Sequence, residues 1–129
     1  MELFDICTHD HNIVENVPVE TTNPDWTDLI DLVTPERAAG VYSLSFSLQV
    51  TMNSTSQSFM YRFSLDGGTT WGHTYYKESK DRSDTQVLEI FNLIELATPQ
   101  IIDIKCQVTR EATADCEVVK AIIACERKA

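Results

Sequence analysis

From Val41 to Asn53 apolar and small polar side chains alternate without a break. Tyr42, Leu44, Phe46, Leu48, Val50 and Met52 occupy one phase, and Ser43, Ser45, Ser47, Gln49 and Thr51 the other. A period of two is that of a half-buried strand, so the stretch predicts a long strand with one core face and one uncharged outer face. Phe59, Tyr61, Phe63 and Leu65 repeat the pattern in a second strand. Pairing the two through a loop at Ser54 to Gln57 sets Met52 opposite Phe59, Val50 opposite Tyr61, Leu48 opposite Phe63 and Phe46 opposite Leu65, every pair apolar. A jelly roll would instead send these two strands to opposite sheets.

The same period recurs along the chain. Leu88, Ile90, Ile94 and Leu96 alternate, with the polar Asn92 interrupting and Pro99 closing the segment. Ile102, Ile104, Cys106 and Val108 alternate before Glu111-Ala112-Thr113-Ala114-Asp115, and Val119, Ala121, Ile123 and Cys125 alternate after it, which predicts a terminal hairpin. Ile13, Glu15, Val17 and Val19 alternate weakly, and Pro18 confines them to an edge strand or an arm within residues 1–24. Thr27 to Thr34 fits a strand, or a short helix starting after Asn23-Pro24, and Pro35 ends it either way. The expected fold is all-β: one domain over residues 1–129, an antiparallel sandwich of seven or eight strands, jelly-roll-like or Ig-like, with an extended N-terminal arm.

Between the aromatic strand and Lys77 stands Ser64-Leu65-Asp66-Gly67-Gly68-Thr69-Thr70-Trp71, followed at Glu78 to Asp84 by a heavily charged run that reads as a solvent-facing loop. An Asp entering a turn accepts hydrogen bonds from N–H groups further along, and adjacent glycines supply positive φ angles. Ser64, Asp66, Gly68, Thr70 and Trp71 are therefore structural turn residues, with Trp71 to Lys77 as the return strand. The stretch resembles the Asp-box hairpin, S-x-D-x-G-x-T-W, of sialidases and of β-sandwich modules that include bacteriophage virion proteins. A single copy implies a hairpin only, because the sialidase-like enzymes repeat it and bind their substrate through a set of arginines. The run from Thr34-Pro35 to Ala39-Gly40-Val41-Tyr42 and Ser43-Leu44-Ser45-Phe46 in turn resembles the entry to the central strand of jelly-roll and TNF-like phage virion modules.

Composition narrows the function. With 10 Lys+Arg against 20 Asp+Glu, the net charge of -10 argues against nucleic acid as a partner, since that affinity is mostly cationic. No apolar run is long enough to span a membrane, and the start Met1-Glu2-Leu3-Phe4-Asp5 lacks the pattern of a signal peptide, which predicts synthesis in the host cytoplasm. Cys7, Cys106, Cys116 and Cys125 match no zinc or redox spacing and are expected as thiols. Cys7, His9 and His11 fall on alternate positions but lack a fourth ligand, so neither a metal nor a cofactor is expected. His73 has no nucleophile elbow or phosphate loop to accompany it, so an enzyme is not the expected class. Trp26, Trp71, Tyr75 and Tyr76 offer a sugar platform as an alternative, with Trp71 and Tyr75 in matching phase, though large aromatics more often belong to cores.

No charged residue occurs from Ala38 to Tyr61. Interfaces are depleted in charge at their centres, so Ser43, Ser45, Ser47, Gln49 and Thr51 form the expected interface. Together with the resemblance to phage modules, this points to a non-enzymatic virion protein, a capsid decoration or cement protein. Its partners would be other virion proteins such as the major capsid protein, and further copies of itself. A tail, adaptor or fibre component and a carbohydrate-binding module are the alternatives.

Overall fold

The long alternating stretch forms a 13-residue strand, Gly40–Met52, whose inward side chains from Tyr42 to Met52 are all 5% exposed or less. In chain order it is β3 of eight strands: β1 His9–Val19, β2 Thr27–Arg37, β4 Ser58–Ser64, β5 Tyr75–Glu78, β6 Asp84–Leu96, β7 Gln100–Arg110 and β8 Cys116–Arg127. The computed structural model describes residues 9–52, 58–78, 84–111 and 116–128, with backbone alone for 77, 78 and 84–91. No helix occurs among the described residues.

Two four-stranded antiparallel sheets face each other, with orders β1-β8-β3-β6 and β2-β7-β4-β5. The antiparallel pairs β1 with β8, β2 with β7, β3 with β6 and β4 with β5 are those of a chain folded back on itself once, between β4 and β5. Rolling that long hairpin adds β3 with β8 and β4 with β7, which closes the two sheets into a jelly roll. The Ser64–Trp71 turn thus sits at the single reversal about which the whole chain is symmetric.

The core lies between the sheets, and its packing explains two departures from the sequence reading. β3 and β4 are not a hairpin: they lie in opposite sheets and meet across the core, where the Phe46 ring stands edge-on to Phe63 at 4.6 Å. Their apolar faces are matched face to face, as the jelly-roll option requires, rather than side by side. β7 and β8 likewise belong to opposite sheets, so the expected terminal hairpin does not form. The apolar alternation carries no information about which of these two ways a face is covered.

Register irregularities account for smaller differences. Asn16 adopts φ 54, and across it the inward phase changes, so that Ile13 and Glu15 face outward while Val17 packs on the core. β8 carries an extra residue relative to β3 between Lys120 and Val118, which buries Val118 instead of Val119. β2 is a strand, not a helix, and it runs through Pro35 to Arg37 with a register shift between Val33 and Glu36. There the Ile102 N–H donates to Thr34 Oγ1 at 3.0 Å, and that hydroxyl donates to the Pro35 carbonyl at 2.7 Å. A buried threonine hydroxyl therefore keeps the ladder satisfied where proline interrupts it.

Candidate interaction surface

The outer face of the β1-β8-β3-β6 sheet is assembled row by row. Ser43, Ser45, Ser47, Gln49 and Thr51 stand opposite Glu126, Ala124, Ile122, Lys120 and Glu117 of β8. Beyond β8, Glu126, Ala124, Ile122 and Lys120 stand opposite His9, His11, Ile13 and Glu15 of β1. On the other side Ser43 is opposite Leu93 of β6. Across β1, β8 and β3 the two middle rows, His11-Ala124-Ser45 and Ile13-Ile122-Ser47, carry no acidic or lysine side chain, and on β6 they end at Phe91 and Glu89. Ile13 is 43% exposed and Leu93 67% exposed. Charge returns at the ends, with Glu126 and Lys128 at one and Glu15, Lys120 and Glu117 at the other. A weakly polar centre bounded by charge is the composition of a protein interface, and it contains the serine stripe read from the sequence. Ile13, Ala124, Ile122 and Leu93 were missed there, since their nearness to that stripe depends on strands far apart in sequence.

The turn residues do structural work. Ser64 Oγ donates to Asp66 Oδ1 at 2.6 Å and accepts the Gly68 N–H at 2.8 Å. Asp66 Oδ1 also accepts the Thr70 N–H at 2.9 Å, and Oδ2 accepts the Thr70 hydroxyl. The hydrogen bond from Ser64, then those from Thr70, hold the Asp66 carboxyl down from 3.8 to about 2. Gly67, at φ 73, donates its N–H to the Asp103 carbonyl at 3.0 Å, and a Cβ there would come 2.7 Å from Asp103 Oδ2. Both oxygens of this carboxylate are thus engaged in holding the turn.

The aromatic residues separate into two groups. β5 begins at Tyr75, so Trp71 is outside the return strand and does not share its inner face. Tyr75 stacks on Tyr61 inside the sandwich at 5.2 Å, while on the outer face the Arg62 guanidinium carbon lies over both Trp71 and Trp26, 4.7 and 4.3 Å from their ring centroids. Arg62 also donates to Gln107 Oε1 from Nε and Nη2, at 3.1 and 2.7 Å, and Gln107 donates to Asp28 at 2.9 Å. Both indoles are half-buried and each has a face taken by Arg62, so they clamp an arginine rather than form a continuous platform. Tyr76 is 69% exposed and stands apart from them.

Of the remaining candidates, His9 and His11 stack at 5.4 Å, and Cys7 lies outside the described residues. No cluster of three metal-ligating side chains occurs among the described residues. Cys106, Cys116 and Cys125 are buried, and burial pushes the Cys106 thiol far up and the Cys125 thiol to about 11. His73 borders a cleft whose other lining residues, among the described residues, include no serine, cysteine or carboxylate.

No protein-family model matches this chain, and no curated protein matches it by sequence. Solved structures do share its fold. A chain in the structure of infectious bursal disease virus Gx strain is similar at a TM-score of 0.62 and 9% identity over 94% of this chain. This chain spans 33% of that one. The PRD1 vertex protein P5 is similar at a TM-score of 0.52 and 9% identity, over 92% of this chain and 72% of that one. Eiger TNF from S. frugiperda is similar at 0.54 and 12% identity, over 95% and 93%. Two of these three are virion proteins, and at such identities the likeness is one of fold.

Proposed function

We propose that this chain is a non-enzymatic structural protein of a virion, a phage capsid decoration or cement protein that binds the major capsid protein through the outer face of the β1-β8-β3-β6 sheet. The observation that carries the reading is the middle of that face across β1, β8 and β3, where His11-Ala124-Ser45 and Ile13-Ile122-Ser47 bring no acidic or lysine side chain and Ile13 is exposed, in a chain of net charge -10. An exposed antiparallel sheet ordinarily carries charges that resist association. A stretch of such a face without them is suited to contact with another protein. The jelly-roll fold shared with virion proteins supports the same class, and the clamped tryptophans speak against sugar binding at Trp26 and Trp71. Copies of the chain self-associating on the shell, and residence in the virion, are parts of this reading.

The test is incorporation of the Ser45→Lys/Ser47→Lys double variant. Both residues are half-buried on the outer face, so the monomer is expected to keep its circular dichroism and melting transition, as surface changes cost little. Two new ammonium groups in a desolvated contact are expected to exclude the variant from purified particles, because a buried unpaired charge is costly. Normal incorporation would overturn the assignment of this face. Adjacency of the gene to a capsid, portal or tail gene independently checks the virion class.

A further inference from the structure

Away from that face, the two sheets part along one flank. β5 pairs with β4 only from Ser58 to Tyr61, so Arg62, Phe63 and Ser64 have no β5 partner, and residues 71–74 leave the sheet. The cleft that results measures about 320 Å³. Leu44 and Phe46 of β3 form its buried floor, Phe63 and Tyr75 line the opposite sheet, and Leu65, His73 and Asn92 stand at its exposed rim. The Gly72 N–H donates to the Phe63 carbonyl at 2.9 Å, which holds the rim segment against β4.

Three properties define what fits. The walls are aromatic and already in edge-to-face order, with Phe46 to Phe63 at 4.6 Å and interplanar 80°, and His73 to Tyr75 at 5.1 Å and 86°. A further ring extends such an arrangement favourably. Among the described residues no lysine, arginine, aspartate or glutamate lines the cleft, although such residues make up 23% of the chain, which disfavours a charged ligand. Asn92 stands opposite Leu44 and therefore in the inward phase of β6, the polar exception to that strand's apolar alternation. Its Oδ1 accepts the Leu93 N–H at 2.9 Å, leaving its NH2 group without a partner among the described residues.

We infer that this flank cleft is a binding site for one neutral aromatic ring with a hydrogen-bonding edge, of the indole or phenol class, seated against Phe63 and Tyr75 with its polar edge toward Asn92 and His73. A cleft of mostly apolar walls with a few convergent polar groups is the usual form of a small-ligand site. Its size suffices: a dry cavity of about 150 Å³ holds benzene, and this one is roughly twice as large. The inference does not rest on the virion reading, since the cleft and the sheet face are separate surfaces.

Titration of the 15N-labelled protein with indole and p-cresol tests it. The expected result is saturable shifts confined to amides of residues 44–46, 63–65, 72–75 and 92, with a dissociation constant on the order of 0.1 to 1 mM for ligands so small. Benzoate and benzylammonium are expected to bind at least about tenfold more weakly. Leu65→Trp, at a side chain 46% exposed, is expected to block the mouth and abolish the shifts with an unchanged melting transition. Asn92→Ala is expected to weaken indole several-fold while leaving toluene unchanged. N-acetyl-tryptophanamide separates two sources of the ring: tighter binding than indole marks a side chain on a polypeptide, and weaker binding marks a free molecule. Absence of saturable shifts, equal binding of the charged rings, or full binding by Leu65→Trp would overturn the inference.

Discussion

Replacing Ser64 by alanine tests whether the β4–β5 reversal is held by side-chain hydrogen bonds. Ser64 is 1% exposed, and its hydroxyl is the acceptor for the Gly68 N–H at 2.8 Å and the donor to Asp66 Oδ1 at 2.6 Å. Alanine removes both bonds, together with the longer one from the Asp66 N–H at 3.4 Å, and leaves a half-buried N–H of Gly68 unpaired. One lost bond with its donor left unsatisfied costs about 1–3 kcal/mol. With a urea slope of roughly 1–3 kcal/mol/M, the midpoint should fall by about 0.5–2 M. Thr69→Ala, an exposed change beside it, should stay within about 0.5 kcal/mol of the parent. Thr70→Val, which removes only the hydroxyl bond to Asp66 Oδ2 and keeps the backbone one, should fall between the two.

The same substitution carries a pH signature. The folded Asp66 carboxyl is held at about 2 against an ordinary 3.8, with the Ser64 hydrogen bond as the largest cause. A depressed carboxylate contributes stability that is fully present above the unfolded value and is lost as the pH falls toward the folded one. That window runs from near 3.8 down to near 2. In Ser64→Ala the Asp66 carboxyl should titrate closer to 3.8 by carbon-detected NMR, and the acid destabilisation in that window should flatten. If the Ser64→Ala midpoint equals that of Thr69→Ala, or the Asp66 titration does not move, the turn is not held in this way.

Ile104→Ala, at a wholly buried side chain in the central strand β7, should cost about 2–5 kcal/mol in denaturant unfolding. Ile101→Ala, three residues earlier and 57% exposed, should stay within about 0.5 kcal/mol, and equal losses would contradict the assigned phase of β7. Cys106, Cys116 and Cys125 should resist a thiol reagent at pH 8 in the native protein, while all four cysteines react after unfolding. Rapid native labelling of Cys106, or fewer than four thiols on unfolding, would refute this.

How far the sequence carried depended on the range of each signal. The faces of β3, β4 and β7 were legible because alternation is local: the inward phase of β3 follows from Tyr42 to Met52 alone. The turn was legible because each of its side-chain bonds joins residues no more than four apart. Sheet membership was not legible. Phe46 packs equally well beside Phe63 in one sheet or across from it in another, and only the long-range pairs β1 with β8 and β2 with β7 decide between the two. Parity failed wherever one residue broke the count, at Asn16 in β1 and at Val119 in β8. It also failed at residues 71–74, which separate Trp71 from the strand that holds Tyr75.

The candidate surface divides along the same line. Its serine stripe lies on one strand and was visible as a run without charge, whereas its apolar members reach it only through the β8 and β6 ladders. Ile122 and Ile123 are adjacent in sequence, and the register alone sends Ile123 to the core and Ile122 to the outer face beside Ile13 and Ser47. An outward isoleucine on an edge strand is unremarkable by itself, since much of any protein surface is apolar. Set in one row with Ile122 and Ser47 and beside the row His11-Ala124-Ser45, it becomes part of a continuous patch across β1, β8 and β3. Under the proposed reading, covering the part of that row on β1 and β8 removes the apolar surface of Ile13 and Ile122 from water without desolvating an acidic or lysine group of that row.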